Sequence, residues 1–314
     1  MFIRCTNHSP ANFHSSIDSI SVLLQKDSLN IDLLNERAKL YIEKDKINLA
    51  KKDIDNAYSV FKNDTDLLLQ RGNVYYLLNQ TRISKESWER CIKIDPNNLD
   101  CREKLTNLLC AVKYPKCKLM IDTLDLLNNG IVSTRLIVYL KELREYERAI
   151  NLIQNRLSQF PREKESLSLL SIIYSDTSSI NNMFNTSLAD HYFKQIIKLY
   201  PNDYQVYYNF GKSKQDLSEY EDAARLYKIA IGIDPDAKAS FYNLGFCYMQ
   251  LEEYRVAINY FTSALKLDNS FLLAYHARAY LYGLLGEKEK ARVDWKNCLM
   301  LNPSYIPAIE ALSK

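Results

Sequence analysis

An all-α fold built from repeated helical hairpins is what this 314-residue sequence predicts. Three observations carry that prediction. Prolines close apolar-periodic segments at Pro96, Pro161, Pro201, Pro235 and Pro303, and Pro201 and Pro235 lie 34 residues apart. Frames set at Tyr204, Lys238 and Leu272 repeat the same residue types at the same offsets. The eighth position is small (Gly211, Gly245, Ala279) and the twentieth is alanine (Ala223, Ala257, Ala291). Lastly, the chain has only 7 glycines, no Gly-rich phosphate loop and almost no alternating apolar-polar runs, which argues against a sheet.

The physics of the offsets gives the unit. Positions four, seven, eight and eleven share one face of a helix with 3.6 residues per turn, and positions twenty, twenty-four and twenty-seven share one face of a second. Two antiparallel helices approach closely only where the residues between their backbones are small. Large residues fill the space beside them: Tyr207, Phe241 and Tyr275 at the fourth position, Phe210, Leu244 and Arg278 at the seventh, and Tyr227, Phe261 and Trp295 at the twenty-fourth. Proline at the thirty-second position lacks the donor for another helical turn and disfavours helix in the residue before it, so the second helix stops there.

In chain order, residues 1–30 hold a capping helix within about residues 13–28. The frame from Ile31 has Leu34, Ala38, Tyr41, Ala50 and Ala57, and the frame from Thr65 has Leu68, Arg71, Gly72, Tyr75, Trp88, Cys91 and Pro96. The frame from Leu99 is degenerate, with Thr106 in the small position and Lys118 where alanine belongs. A frame from Gly130 contains the turn phrase Glu145-Tyr146-Glu147-Arg148-Ala149, matched later by Glu219-Tyr220-Glu221-Asp222-Ala223. The frame near residue 164 reaches Pro201 only through extra residues within Ser175–Ser187, a polar, turn-prone stretch that predicts a long loop. Frames from 204, 238 and 272 follow, and residues 306–314 form a short closing helix. The array from 31 to 305 should have no internal boundary, because each hairpin buries its apolar face on its neighbours.

These residues and offsets resemble the tetratricopeptide repeat family, whose 34-residue helix-turn-helix unit places aromatic, Leu, Gly, Tyr, Ala, Phe and Pro in this register. The resemblance covers about residues 31–305 and implies a right-handed superhelical solenoid of roughly eight hairpins. It further implies that the first helix of each hairpin lines a concave groove through positions two, five, nine and twelve. In the C-terminal repeats that groove is aromatic. Tyr208, Tyr242, Phe246, Met249 and Tyr280 are expected to hold apolar side chains of a peptide, Asn209 and Asn243 to bond its backbone, and Lys212 and His276 to supply polar edges. The N-terminal groove positions, Asp32, Asn35, Lys39 and Ile42, then Asp66, Leu69, Asn73 and Tyr76, then Asp100, Glu103, Asn107 and Cys110, read as more acidic and polar. Binding of chaperone tails through a carboxylate clamp is rejected, because Tyr208 stands where the first lysine is needed and Leu273 and Ala277 replace the final basic pair.

Composition excludes other classes. A net charge of +3 with lysines and acids interleaved gives no basic stripe for nucleic acid. No catalytic motif is present, and the four histidines and seven cysteines form no metal-binding cluster, so no catalytic residue, metal or cofactor is expected. The cysteines lack Cys-x-x-Cys spacing and read as small buried apolar residues, with free thiols favouring a reducing compartment. No run of about 20 apolar residues could span a bilayer. The expectation is a cytoplasmic, non-enzymatic scaffold that binds peptide segments of protein partners. The alternative is an envelope lipoprotein acting in pilus or secretion-system assembly, with Cys5 after an apolar stub as its lipid-anchor site.

Overall fold

The computed structural model describes residues 17–178 and 182–313, among which there are eighteen helices and no strand. The N-terminal stub with Cys5 lies outside the described residues. Where the sequence predicts one array from 31 to 305, the contacts fall into two compact units, residues 1–139 and 140–314. The division lies just beyond the degenerate frame.

The first unit contains α1 (Ile17–Lys26) and the hairpins α2 (Ile31–Glu43) with α3 (Ile47–Val60), α4 (Thr65–Leu77) with α5 (Thr81–Ile94), and α6 (Leu99–Ala111) with α7 (Cys117–Leu127). Helix α8 (Thr134–Glu142) contains the point of division. The second unit contains α9 (Tyr146–Gln159) and the hairpins α10 (Lys164–Ser175) with α11 (Thr186–Leu199), α12 (Tyr204–Asp216) with α13 (Tyr220–Ile233), α14 (Lys238–Gln250) with α15 (Tyr254–Leu267), and α16 (Leu272–Leu284) with α17 (Lys288–Leu301). Helix α18 (Ile306–Ser313) follows. The stretch between Ser175 and Thr186 holds no helix among its described residues, and its far end is tied back by Asn185 N–H donating to the Tyr174 carbonyl at 2.9 Å.

Local chemistry sets these boundaries. Asn30, Asp64, Asn98 and Asn185 cap α2, α4, α6 and α11 by accepting the amide three residues on, which satisfies one of the four orphan donors at each start. Asp32, Asp66 and Asp100 sit in the first turns of α2, α4 and α6, where a negative charge favours the helix dipole. The stops are equally specific. Asp95, Asp234 and Asn302, each preceding a proline, adopt extended backbone, and each side chain accepts the amide two residues on at 3.1 Å.

The small positions work as the offsets require. Gly72 lies under the Trp88 ring, Gly211 under Tyr227 and Gly245 under Phe261, and all three rings are buried. Ala50, Ala57, Ala223, Ala257 and Ala264 are fully or almost fully enclosed between helices. Gly286 takes φ +76° in the turn between α16 and α17, a backbone region in which a side chain is strained.

A polar seam runs inside this packing that the offsets did not disclose. Arg37 forms a two-pronged bond to Asp53, with Nε and Nη2 each 2.7 Å from a carboxylate oxygen, while Nη1 reaches Ser21 Oγ at 3.0 Å. Arg278 repeats it on Asp294 at 2.8 Å through both nitrogens, with Thr262 taking Nη1. Arg71 uses Ser87 instead, at 2.7 Å. Each arginine holds the seventh position of its frame and its partner stands sixteen residues later, so the pair bolts the two helices of one hairpin together. The forked geometry is what guanidinium and carboxylate favour.

The cysteines correct the sequence expectation. Cys91 and Cys101 form a disulfide between α5 and α6, and Cys110 and Cys117 form a second between α6 and α7. Helix α6 is therefore tethered covalently at both ends, within the frame whose alanine is missing. Spacings of ten and seven residues gave no hint, because the pairing depends on how the hairpin turns bring helix ends together. Cys247 and Cys298 do behave as buried apolar residues: both are free thiols, and burial pushes them up to about 12 and about 11.

Candidate functional site

Helices α14 and α16 are the first helices of adjacent hairpins, and their shared face opens a hollow of about 320 Å³. Five residues expected to bind peptide meet there: Tyr242, Phe246, Met249, His276 and Tyr280. Leu273, Ala277 and Tyr305 complete the lining. The spacing of Tyr242, Phe246 and Met249 places them on one stripe of α14, and His276 and Tyr280 lie one turn apart on α16. Their exposure differs in a useful way. Tyr242 packs its ring 4.9 Å from Phe271 and 5.5 Å from Phe261, which makes it the floor of the hollow. Tyr280 and Leu273 are each 51% exposed and form the rim.

Tyr305 was not among the expected groove residues, because it follows Pro303 and belongs to no first helix. Its hydroxyl lies 2.6 Å from His276 Nδ1, and the His276 ring also meets Trp295 edge-on at 5.1 Å. Burial lowers the His276 pKa, which favours the uncharged ring, and Nδ1 shares its hydrogen bond with the Tyr305 hydroxyl. This contact fixes the imidazole as a neutral wall of an apolar hollow. Among the described residues the imidazole's neighbours are this hydroxyl and the Trp295 and Tyr305 rings.

The remaining expected residues have other neighbours. Asn243 is buried and donates through Nδ2 to the Tyr208 hydroxyl at 3.2 Å, so this amide ties α12 to α14. Tyr208 also meets the Tyr227 ring at 5.8 Å. Asn209 Oδ1 accepts from Gln205 at 3.0 Å, and Lys212 pairs with Asp216 one turn along its own helix. None of these four lines the hollow.

The first unit has its own concavity, of about 500 Å³, on the faces of α2, α4 and α6. Here the charge expectation is corrected. Lys39, Lys104 and Arg135 line it against a single acid, Glu43, whereas Asp32, Asp66 and Asp100 are not part of the lining. Those aspartates are engaged at helix starts rather than in the groove.

Sequence models of the tetratricopeptide repeat match residues 65–98, 239–271 and 272–305. The chain contains tetratricopeptide repeats. The matched segments coincide with α4–α5, α14–α15 and α16–α17, so the C-terminal hollow lies between two repeats identified independently of its geometry. No curated protein matches the sequence. Among solved structures the repeat protein is similar to MamA, at 20% identity over 54% of this chain and 95% of that one, with a TM-score of 0.47. It is also similar to the C-terminal part of a TPR repeat-containing protein from Cytophaga hutchinsonii, at 18% identity over 94% and 93% of the two chains, with a TM-score of 0.38. A chain of the APC/C hetero-tetramer Cut9–Hcn1 is 16% identical over 95% of this chain and 51% of that one, with a TM-score of 0.46.

A repeat architecture of this kind is that of a protein–protein interaction scaffold. No described helix is long and apolar enough to cross a membrane.

Proposed function

We propose that this tetratricopeptide-repeat protein is a non-enzymatic adaptor that holds an apolar peptide segment of a partner in the hollow between α14 and α16. The observation that carries this reading is the open apolar lining itself: Phe246, Met249 and Tyr280 converge around one cavity and share a neutral histidine wall. Aromatic side chains bury large area with few rotatable bonds, and a packed scaffold loses little order on binding, so most of the entropic cost falls on the peptide. Selection of a displayed peptide library on the full chain is expected to enrich segments with an aliphatic or aromatic anchor. The variant Tyr280→Ala with Met249→Ala should bind them at least about tenfold more weakly, since truncating an anchor contact costs roughly 1–2 kcal/mol or more. These two residues are better probes than Tyr242, whose truncation would also unpack Phe261 and Phe271. Equal affinity for both proteins, with unchanged helicity, would place the binding elsewhere.

A second reading concerns location. The two disulfides favour work in an oxidising compartment, as the envelope lipoprotein alternative requires, over the cytoplasm. Alkylation of the denatured, unreduced protein from its own cell should then label no more than three of the seven cysteines, Cys5, Cys247 and Cys298. Labelling of all seven would return the cytoplasmic reading to first place.

A further inference from the structure

The concavity of the first unit carries a different chemistry, and we propose that it is a second binding site, one that takes an acidic segment of an extended polypeptide through its Glu or Asp side chains. It is independent of the apolar hollow, which belongs to the other unit.

Three features point to that ligand. Charge comes first. Lys39 from α2, Lys104 from α6 and Arg135 from α8 reach one cavity of about 500 Å³, faced only by Glu43 among the acids of its lining. Among the described residues none of the three cations has an ion-pair or hydrogen-bond partner. By contrast, Lys51, Lys164 and Lys214 of this protein sit 2.6–2.9 Å from carboxylates. Three like charges gathered on one hollow repel one another, and an incoming carboxylate relieves that repulsion while it is attracted.

The second feature is an orphan acceptor. Asn107 lines the cavity, and its Oδ1 is buried yet accepts no hydrogen bond from any described residue. A buried acceptor left unpaired costs free energy, which a donor on the ligand would recover. Asn73, at the same position of the preceding repeat on α4, lines the same cavity. Carboxamides at this interval suit the N–H groups of an extended main chain, which an isolated anion lacks.

The third is an apolar edge. Tyr76 and Leu77 on α4 are 40% and 49% exposed, and the Tyr76 ring lies 6.0 Å from that of Trp88. Side chains alternating with the acids along an extended strand would lie against this edge. The combination of cation, carboxamide and apolar surface selects an acidic peptide with interspersed aliphatic residues. A single-stranded nucleic acid, which could pair its phosphates with the cations and stack a base on Tyr76, is the competing ligand that the test must exclude.

The test uses the full chain and a fluorescein-labelled octapeptide of alternating Glu and Leu, acetylated and amidated at its ends. A matched peptide with Gln for Glu, a neutral peptide with a free C-terminal carboxylate, and a single-stranded oligonucleotide of similar charge serve as comparisons. The acidic peptide should bind in a salt-dependent manner, and Lys39→Met with Lys104→Met should weaken it by about tenfold or more. Both lysines are exposed, so helicity should be retained. Glu43→Gln should strengthen binding, an outcome that misfolding cannot produce. Tyr280→Ala with Met249→Ala should leave this binding unchanged, which separates the two sites. Equal binding of the Glu and Gln peptides, preference for the free-carboxylate peptide or the oligonucleotide, or indifference to the lysine and Glu43 changes would each overturn the proposal.

Discussion

Asp294→Ala is expected to destabilise the C-terminal unit by about 3 kcal/mol, the loss typical of removing one partner from a buried ion pair. Asp294 is almost fully enclosed and Arg278 is largely so, with side-chain exposures of 3% and 16%. Removing the carboxylate leaves the guanidinium buried with Thr262 Oγ1 as its remaining partner. Most of the loss therefore arises from the stranded charge rather than from the attraction itself. Asp294→Asn, which keeps one acceptor, should lose less. Arg225→Ala breaks an exposed pair with Asp222 in the same unit, its own side chain being 76% exposed, and should change stability by no more than about 0.5 kcal/mol. The chain has two tryptophans, Trp88 in the first unit and Trp295 in the second. Trp295 fluorescence in a Trp88→Phe background thus reports unfolding of the unit that contains the pair. A shift for Asp294→Ala no larger than that for Arg225→Ala would show that the bolt contributes nothing.

Gly72→Ala is expected to lose about 1–3 kcal/mol, although alanine is the better helix former by roughly 1 kcal/mol in isolation. An added Cβ would stand 2.1 Å from Trp88 Nε1 and 2.5 Å from two further ring atoms. The indole must therefore move. It is 2% exposed and donates to the Leu69 carbonyl at 3.4 Å, so movement costs both packing and a hydrogen bond. The equivalent change at Gly245 is milder, since its Cβ would meet Phe261 at 2.9 Å. Denaturant unfolding followed by Trp88 emission for Gly72→Ala and by Trp295 emission for Gly245→Ala, each with the other tryptophan replaced by Phe, should show the larger loss at Gly72. A neutral or stabilising result would mean that the ring has room the geometry denies.

These two cases show what the sequence discloses and what it hides. Gly72 and Trp88 occupy fixed offsets, so their contact follows from period and residue size alone. The Arg278–Asp294 bolt occupies fixed offsets as well, yet a seventh position filled by Phe210, Leu244 and Arg278 looks like a space-filling site. Only the sixteen-residue interval shared with Arg37–Asp53 and Arg71–Ser87 marks it as polar, and that correlation spans two helices. Tyr305 escaped because it belongs to a turn that no frame assigns to the groove. Asn243 was assigned to a peptide backbone by position, whereas the neighbouring Tyr208 hydroxyl claims its amide. In the first unit the acids at position two read as helix-start charges from the sequence as well, whereas one of the three cations of the cavity, Lys104, comes from the degenerate frame. Periodicity thus fixes which face a residue occupies, while its partner depends on rotamers and on the neighbouring hairpin.

If the hollow between α14 and α16 receives the partner, as proposed, a probe inside it must respond to the peptide. Methyl resonances of methionine test it most directly, because the chain has only 5 methionines and Met249 alone lines that hollow. Titration of a library-selected apolar peptide into methyl-labelled protein should shift and broaden the Met249 signal while leaving Met300, which is 74% exposed on α17, unchanged. Saturable binding with an unmoved Met249 signal would contradict the account.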